Sequence, residues 1–584
     1  MLDTLIKGGK LIDGLGGAPW VGDVGIKDGR IVEIGPSISS AARETLDASG
    51  AIVTPGFVDV HTHYDGQVCW DDKLDPSAGH GVTTVVMGNC GVGFAPVPPG
   101  GERELIEVME GVEDIPGTAL YEGVPWGSWE SFPEYLDFLA SRQYALDISA
   151  QIPHAALRNY VMGARGRANE PATPEDMSRM ADLVEEALQA GAVGFSTSRT
   201  IGHRAMSGQP IPGTFAADEE VLLLAEAMER AGKGVFELIP AGVIGDLAHL
   251  GGEQTTTEQE LILLDKVSRR SGRPVTFTLV QNATPRNAWR DVFAQVETFN
   301  AKGAQLYPQV ASRPIGLVTN IQTYHMFQVR ETYLKLAKLP LAERLAQMRK
   351  PEVRAAILSD RDVPSGGAGM MANAHLIFKN TAPMLYQLDV PIDYEPTRDL
   401  CFGARAKAAG QTDEEFMYDF LVGNDGQNFA ILLGANFYDG NFDAIREMLL
   451  HPLSITGLSD AGAHVNLIFD GVAPTYQMIH WGRDRSRGEG LALEFIIAKQ
   501  TKRNADLYGM TDRGSLEAGK RADINVIDFE RLNLGSLEVR TDLPAGGTRI
   551  LQPASGYVAT FVNGVQTRKN DVDTGARPGR LVRT

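Results

Sequence analysis

Cysteine is scarce in this chain: Cys69, Cys90 and Cys401 are the only three in 584 residues. An odd, scattered set builds no disulfide framework, which fits a reducing, cytoplasmic compartment. Long apolar runs are missing too. No stretch approaches the roughly 20 residues of a membrane-crossing helix. Met1-Leu2-Asp3-Thr4-Leu5-Ile6-Lys7 sets no basic segment before an apolar one, so neither a membrane anchor nor a signal peptide is expected. Basic charge is short as well: 54 Lys and Arg against 74 Asp and Glu leave a formal net charge of -20. Phosphate binding needs a basic face, so this balance argues against a nucleic-acid partner. What remains is ordinary globular composition, 43% hydrophobic and 22% charged, over a length that suits one large domain with a satellite.

The two ends share one texture. Leu5-Ile6-Lys7 runs into Gly8-Gly9, Lys10-Leu11-Ile12 into Asp13-Gly14, and Val24-Gly25-Ile26 is followed by Asp28-Gly29; near the other end Tyr557–Val562 leads to Asn563-Gly564. Such pairs between apolar runs are hairpin punctuation. Neither end holds enough strands for a core, so residues 1–54 and 510–584 are expected to pack together as one small β-sandwich domain around the inserted middle.

Between them strand alternates with helix, which predicts an α/β fold with a parallel sheet. The strand candidates are Ile52–His61, Val82–Met87, Leu146–Ile152, Ala192–Ser196, Val235–Ile239, Val275–Val280, Ala304–Tyr307 and Ser454–Leu458. Eight strand-helix units over residues 55–509 predict a (β/α)8 TIM-like barrel, with chemistry where strands end and loops begin. One helix is unusually legible: Thr173 as N-cap, Pro174 at the first position, acidic Glu175 and Asp176, an apolar stripe from Met177 to Leu188, then Gly191. Another starts near Thr257, with Glu260 completing a capping box. The excess chain between strands seven and eight predicts a helical insertion or lid over about 315–397, with Ser365–Gly369 as a hinge or mobile loop.

The most telling stretch is His61-Thr62-His63, closing an apolar run. Side chains two apart in a strand share a face, so the two imidazoles can converge on one ion. Such a pair also arises by chance, so its weight depends on the neighbouring strand ends. Strand two ends in Gly88-Asn89-Cys90-Gly91, where thiolate is a strong zinc ligand, although buried structural thiols are commoner. Strand eight ends in Leu458-Ser459-Asp460, whose carboxylate can hold a metal and accept a proton from water, or cap a helix. The three endings together point to a metal centre.

Pro55–Asp65, Gly88–Gly91, Leu458–Asp460 and the tail Asp512–Asp523 resemble the amidohydrolase superfamily, and within it the N-acyl-D-amino-acid deacylases, or D-aminoacylases. The resemblance implies a zinc-bearing barrel with a split β-sandwich domain that hydrolyses an amide bond. It implies His61, His63, Cys90 and Asp460 as ligands, with Asp460 also the acid-base group. The chain departs from that branch at the ends of strands five and six, which carry metal-binding histidines there. Val235–Pro240 and Thr276–Gln281 contain none. Glu237 could take one place, glutamine at 281 is a poor substitute, and His249 could reach inward only from a loop. One or two Zn2+ ions, or another divalent metal, are therefore expected in an altered site.

The expected substrate is a small, carboxylate-bearing amide. Arg199 and His203 after strand four, and Tyr307 and Arg313 around strand seven, are the groups placed to hold it, since guanidinium grips carboxylate bidentately. Surface or ion-paired roles compete for each arginine. Cyclic amides or imides, carbamates and esters are alternative substrates for the same activated water. An inactive binding protein on the old scaffold is the alternative of another class, and a homo-oligomer is compatible with either.

Overall fold

Eight parallel strands lie side by side in chain order: β1 (Phe57–Asp59), β2 (Val82–Met87), β3 (Asp147–Pro153), β4 (Gly194–Ser198), β5 (Val235–Ile239), β6 (Val275–Thr278), β7 (Leu306–Val310) and β8 (Ile455–Thr456). Nearly every residue in them is buried, as a parallel sheet wrapped by helices requires. The computed structural model describes residues 1–242, 247, 250–364 and 371–584. His249 and Ser365–Gly369, read above as a loop donor and a hinge, lie outside the described residues.

The sheet curls until β1 and β8 face each other without a ladder between them. Side-chain and loop contacts bridge the seam. Asn504 Nδ2 donates to Val58 O at 2.8 Å and to Thr456 O at 2.9 Å. Beyond the strand ends, Thr62 and Ala461 form a parallel bridge, and Asp460 N donates to His61 O at 3.1 Å. His61 and Asp460, both read as ligands from the sequence, thus also take part in closing the barrel.

The expected first strand serves two sheets. Ile52–Pro55 pairs antiparallel with Ile524–Ile527 in a nine-stranded sheet built from both ends of the chain, and only Phe57–Asp59 belongs to the barrel. Gly56 makes the switch because a Cβ there would lie 2.2 Å from Thr83 Oγ1.

Three helices are informative: α1 (Glu102–Glu113), α2 (Pro174–Ala190) and α3 (Thr257–Ser271). In α2 Thr173 caps the Asp176 amide, Met180, Leu183, Val184, Ala187 and Leu188 are buried, and Gly191 ends it at φ 111°. In α3 the capping box is Thr256 with Gln259, one residue before the expected pair. Glu260 is instead buried against Arg199.

The excursion between β7 and β8 is not purely helical. It contains a three-stranded sheet of Gly316–Thr319, Leu385–Gln387 and Ala430–Leu433, so it runs past residue 397. Ile321, Phe327, Phe378, Phe402, Tyr418 and Leu421 give it a core of its own. Cys69, Cys90 and Cys401 are free, and no helix among the described residues is long and apolar enough to cross a membrane.

Candidate active site

His61 and His63 leave β1 on the barrel's carboxyl side, where parallel strands present their ends. His61 Nε2 lies 3.3 Å from Cys90 Sγ, and His63 Nε2 lies 3.8 Å from it. His61 Nε2 is also 3.4 Å from Asp460 Oδ1, and His63 Nε2 is 3.8 Å from the same oxygen. Donors around a tetrahedral zinc, with bonds of about 2.0–2.3 Å, sit roughly 3.3–3.8 Å apart. The donor set His61, His63, Cys90 therefore fits a divalent cation in both spacing and chemistry.

The surroundings aim these groups. Gln309 Oε1 accepts from His61 Nδ1 at 2.9 Å, which leaves Nε2 as the lone-pair nitrogen. Asp59 accepts from the His61 amide at 3.3 Å and from Ser459 Oγ at 2.6 Å, tying strand one to strand eight. Cys90 sits at φ 57° in a tight turn, beside Gly88, whose missing Cβ would lie 2.3 Å from Gln151 O. Asn89 clamps that turn by donating to Thr62 O at 3.1 Å and Val86 O at 2.9 Å. Glu237, fully buried in the middle of β5, accepts from Cys90 N at 3.0 Å with one oxygen, and its Oε1 has no partner.

Burial dominates the electrostatics. It lowers His61 to about 4 and His63 well below the usual imidazole range, so both imidazoles are neutral near pH 7. It raises Asp460 and Glu237 each to about 8, and Cys90 well above the usual thiol range. Beyond burial, the groups acting on Cys90 are all acids: Glu113, Glu237, Asp460 and Asp65. A buried group of acids and neutral imidazoles is a setting in which a cation ionises thiol and carboxylate together.

The remaining sequence candidates are placed differently. Arg199 is occupied: its Nε lies 2.9 Å from Glu260 Oε1, and its Nη1 donates to Ala216 O at 2.6 Å. Arg313 Nε donates to Asp470 Oδ1 at 2.7 Å under the Phe469 ring, and only its Nη1 lacks a partner. Tyr307 is corrected from the rim to the strand itself, packed among Val58, Val193, Val235 and Ile455. The strand expected over Ala304–Tyr307 runs instead from Leu306 through Pro308 to Val310. His203 Nδ1 is 2.9 Å from Ser198 Oγ, and its ring is near enough to His464 to lower it. Gln281 is turned away to Asp439 Oδ2 at 2.6 Å.

Two neighbours were not singled out from sequence. Glu113 Oε2 lies 3.4 Å from His63 Nε2 and 3.5 Å from His464 Nε2. A signal existed for the first: Glu113 stands four residues after Met109, on the apolar stripe of α1, where a carboxylate is out of place. Gln309 followed the strand end the sequence suggested and so escaped notice.

The amidohydrolase family profile matches residues 44–568. An uncharacterized protein of Mycobacterium tuberculosis is 26% identical over 555 residues, covering 91% of this chain and 85% of that one. The D-aminoacylase of Alcaligenes xylosoxydans xylosoxydans is 36% identical over 195 residues, which is 33% of this chain and 37% of its own length. Among solved structures, a D-aminoacylase superposes with a TM-score of 0.63 at 22% identity, covering 100% of both chains. The N-acyl-D-glutamate deacylase of Bordetella bronchiseptica, solved with zinc and a phosphonate mimic of the tetrahedral intermediate, also gives 0.63 at 22% identity. At that identity the likeness is one of fold. With a profile match running over nearly the whole chain, the protein belongs to the amidohydrolase family.

Proposed function

We propose that this chain hydrolyses the amide bond of an N-acyl-(D-)amino acid or a related small amide, with His61, His63 and Cys90 holding a zinc ion beside Asp460. Family membership makes it a hydrolase of carbon-nitrogen bonds other than peptide bonds; the substrate and the ion are the proposal. The observation that carries it is the convergence of two neutral imidazoles and a thiol, at ligand spacing, next to a carboxylate raised to about 8.

A divalent cation held there would polarise a carbonyl and lower the pKa of water towards 7. The chain supplies the rest. Asp460 Oδ1 faces the histidines, so Oδ2 is the oxygen that takes the proton from the attacking water and returns it to the departing nitrogen. A carboxylate tuned near neutrality suits both halves of that transfer. Gln309 holds His61 in the ligand tautomer, and the Glu237 carboxylate fixes the Cys90 amide. Arg313 Nη1 is the guanidinium group left to meet a substrate carboxylate.

Asp460→Asn should keep the fold and most of the metal while lowering turnover by roughly 10²–10⁴-fold. Purified enzyme is assayed on N-acyl-D- and N-acyl-L-amino acids, cyclic amides, carbamates and esters. Normal turnover by Asp460→Asn would refute the mechanism. Turnover confined to compounds without a carboxylate would refute the substrate, and binding without any turnover would favour a scaffold that has lost its chemistry.

A further inference from the structure

A second cavity, of about 180 Å3, lies where the segment after β1 meets the terminal β domain. It is well above the ~10–15 Å3 that admits a single water. Charges of both signs line it, and most are engaged. Lys73 pairs with Asp75, and Arg540 pairs with Glu538. Asp571 accepts from Tyr557 N at 2.8 Å and from Gly556 N at 3.1 Å. Arg568 is different: it has no acid partner among the described residues, its Nε is buried without a hydrogen-bond partner, and its Nη2 makes a long bond of 3.4 Å to Ala554 O.

The walls around this guanidinium are fixed. Its carbon lies 6.0 Å from the centre of the Tyr557 ring, whose Oη donates to His80 O at 2.9 Å. His80 Nε2 donates in turn to Gln552 O at 3.1 Å, so its Nδ1 accepts from Thr475 Oγ1 at 2.9 Å. Gly79 keeps the approach open, since a Cβ there would stand 3.7 Å from Arg568 Nη1. A buried charged donor left unpaired is costly, and the guanidinium fork matches the paired oxygens of a carboxylate or phosphate. Arg568 is the charged group of this cavity with donors still to give, which selects an anion.

We propose that this cavity binds a small oxyanion, a carboxylate or a phosphate, on Arg568, and that the bound ion braces the segment after β1 against the terminal domain. Arg568 belongs to the terminal strand Val565–Lys569, whereas Lys73, Asp75 and Gly79 belong to the segment that follows His63, so an ion between them joins the two. The segment is already folded back on itself: Tyr64 Oη donates to Ser77 Oγ at 2.8 Å, and Gln67 Nε2 donates to Asp75 O at 2.7 Å. Its far end therefore reports to the residue next to His63. The site needs no metal and does not depend on the reaction proposed above.

The test titrates the full-length protein with inorganic phosphate and with acetate by calorimetry at constant ionic strength. Saturable binding by wild type is expected, at least about tenfold weaker in Arg568→Met. The tighter of the two probes names the ligand class. No saturable binding of either probe, or binding unaltered in Arg568→Met, overturns the site; the second result would place the anion elsewhere, such as at the metal centre. Wild-type crystals soaked in selenate read the same answer without substitution. An anomalous peak against Arg568 is expected, and a peak found only elsewhere contradicts the proposal, as does a peak at Arg568 without saturable binding in solution, which is an adventitious ion only. Hydrogen exchange of residues 64–80 should slow when the tighter probe is bound, and unchanged exchange there overturns the bracing.

Discussion

Cys90, Leu458, Asp460 and His464 all take positive φ, between 47° and 61°, around one site. Each such residue costs roughly 1–3 kcal/mol, and strain of this kind persists where surrounding contacts over-determine it. Here the contacts are those of the seam and the strand-two turn, which aim a thiol, a carboxylate and an imidazole at one region. Gln309 matters for the same reason at shorter range. Its Oε1 fixes the His61 tautomer and its own Nε2 has no partner, so Gln309→Leu removes one orienting bond and little else. Zinc affinity should fall by roughly 10–100-fold with the fold intact, measured by chelator competition alongside thermal melting. Unchanged affinity would show that packing alone orients His61. At this scale the sequence was most legible where a fixed local period brings donors together, as in His61-Thr62-His63. Glu113 reaches the His63 imidazole from a helix end some fifty residues on, and no local pattern announces that meeting.

Among the elements, α2 is the one whose sequence signals all agree, and its cap can be tested. Thr173 Oγ1 accepts from Asp176 N at 3.2 Å, and Asp176 returns a bond to the Thr173 amide at 2.9 Å. Thr173→Ala should cost about 1 kcal/mol, read as a lower midpoint in denaturant. The bond to Arg165, with the cap bonds, lowers Asp176 from 3.8 to about 2. A carboxylate lowered on folding adds stability above its unfolded pKa and loses it as pH falls through the folded one. The Asp176 contribution should therefore be full above about pH 4 and gone below about pH 2, and Asp176→Asn should flatten that part of the stability profile. An identical profile in the variant would contradict the assignment. The elements that misled were those with competing physics. The seventh strand, expected to end at Tyr307, runs on through Pro308 to Val310, and the short apolar runs at Gly316–Thr319 and Ala430–Leu433 suit strand and helix equally until partners pair with them.

At the scale of the whole molecule, the barrel and the terminal sheet divide one apolar run between them and are joined by buried charges. The turn signals announced that both ends are β-rich, and too few strands at either end predicted that they meet. The sharing of one apolar run between two sheets was hidden, because only the Thr83 side chain reveals why Gly56 must be glycine. Arg513, just before the returning strand Ile524–Ile527, pins the junction. Its Nη1 donates to Asp147 Oδ2 at 2.7 Å in β3 and to Thr84 Oγ1 at 2.8 Å in β2. Asp147 is 1% exposed, so its charge depends on that partner. Arg521 Nη2 comes within 2.8 Å of the same oxygen but has no hydrogen bond there, which makes Arg513 the principal support. Removing one member of a buried pair typically costs about 3–5 kcal/mol, since the other charge is left uncompensated. Arg513→Met should therefore lower stability by that order in denaturant unfolding, and Arg513→Met with Asp147→Asn should recover part of it. A loss below about 1 kcal/mol in the single variant would mean that Arg521 and the Arg580 amide, 2.9 Å from Asp147 Oδ1, already satisfy the carboxylate. Because Asp147 begins the strand beside β2, which feeds the Cys90 turn, the same substitution should also weaken metal retention, whereas Thr173→Ala, whose cap lies on the exposed end of α2, should not.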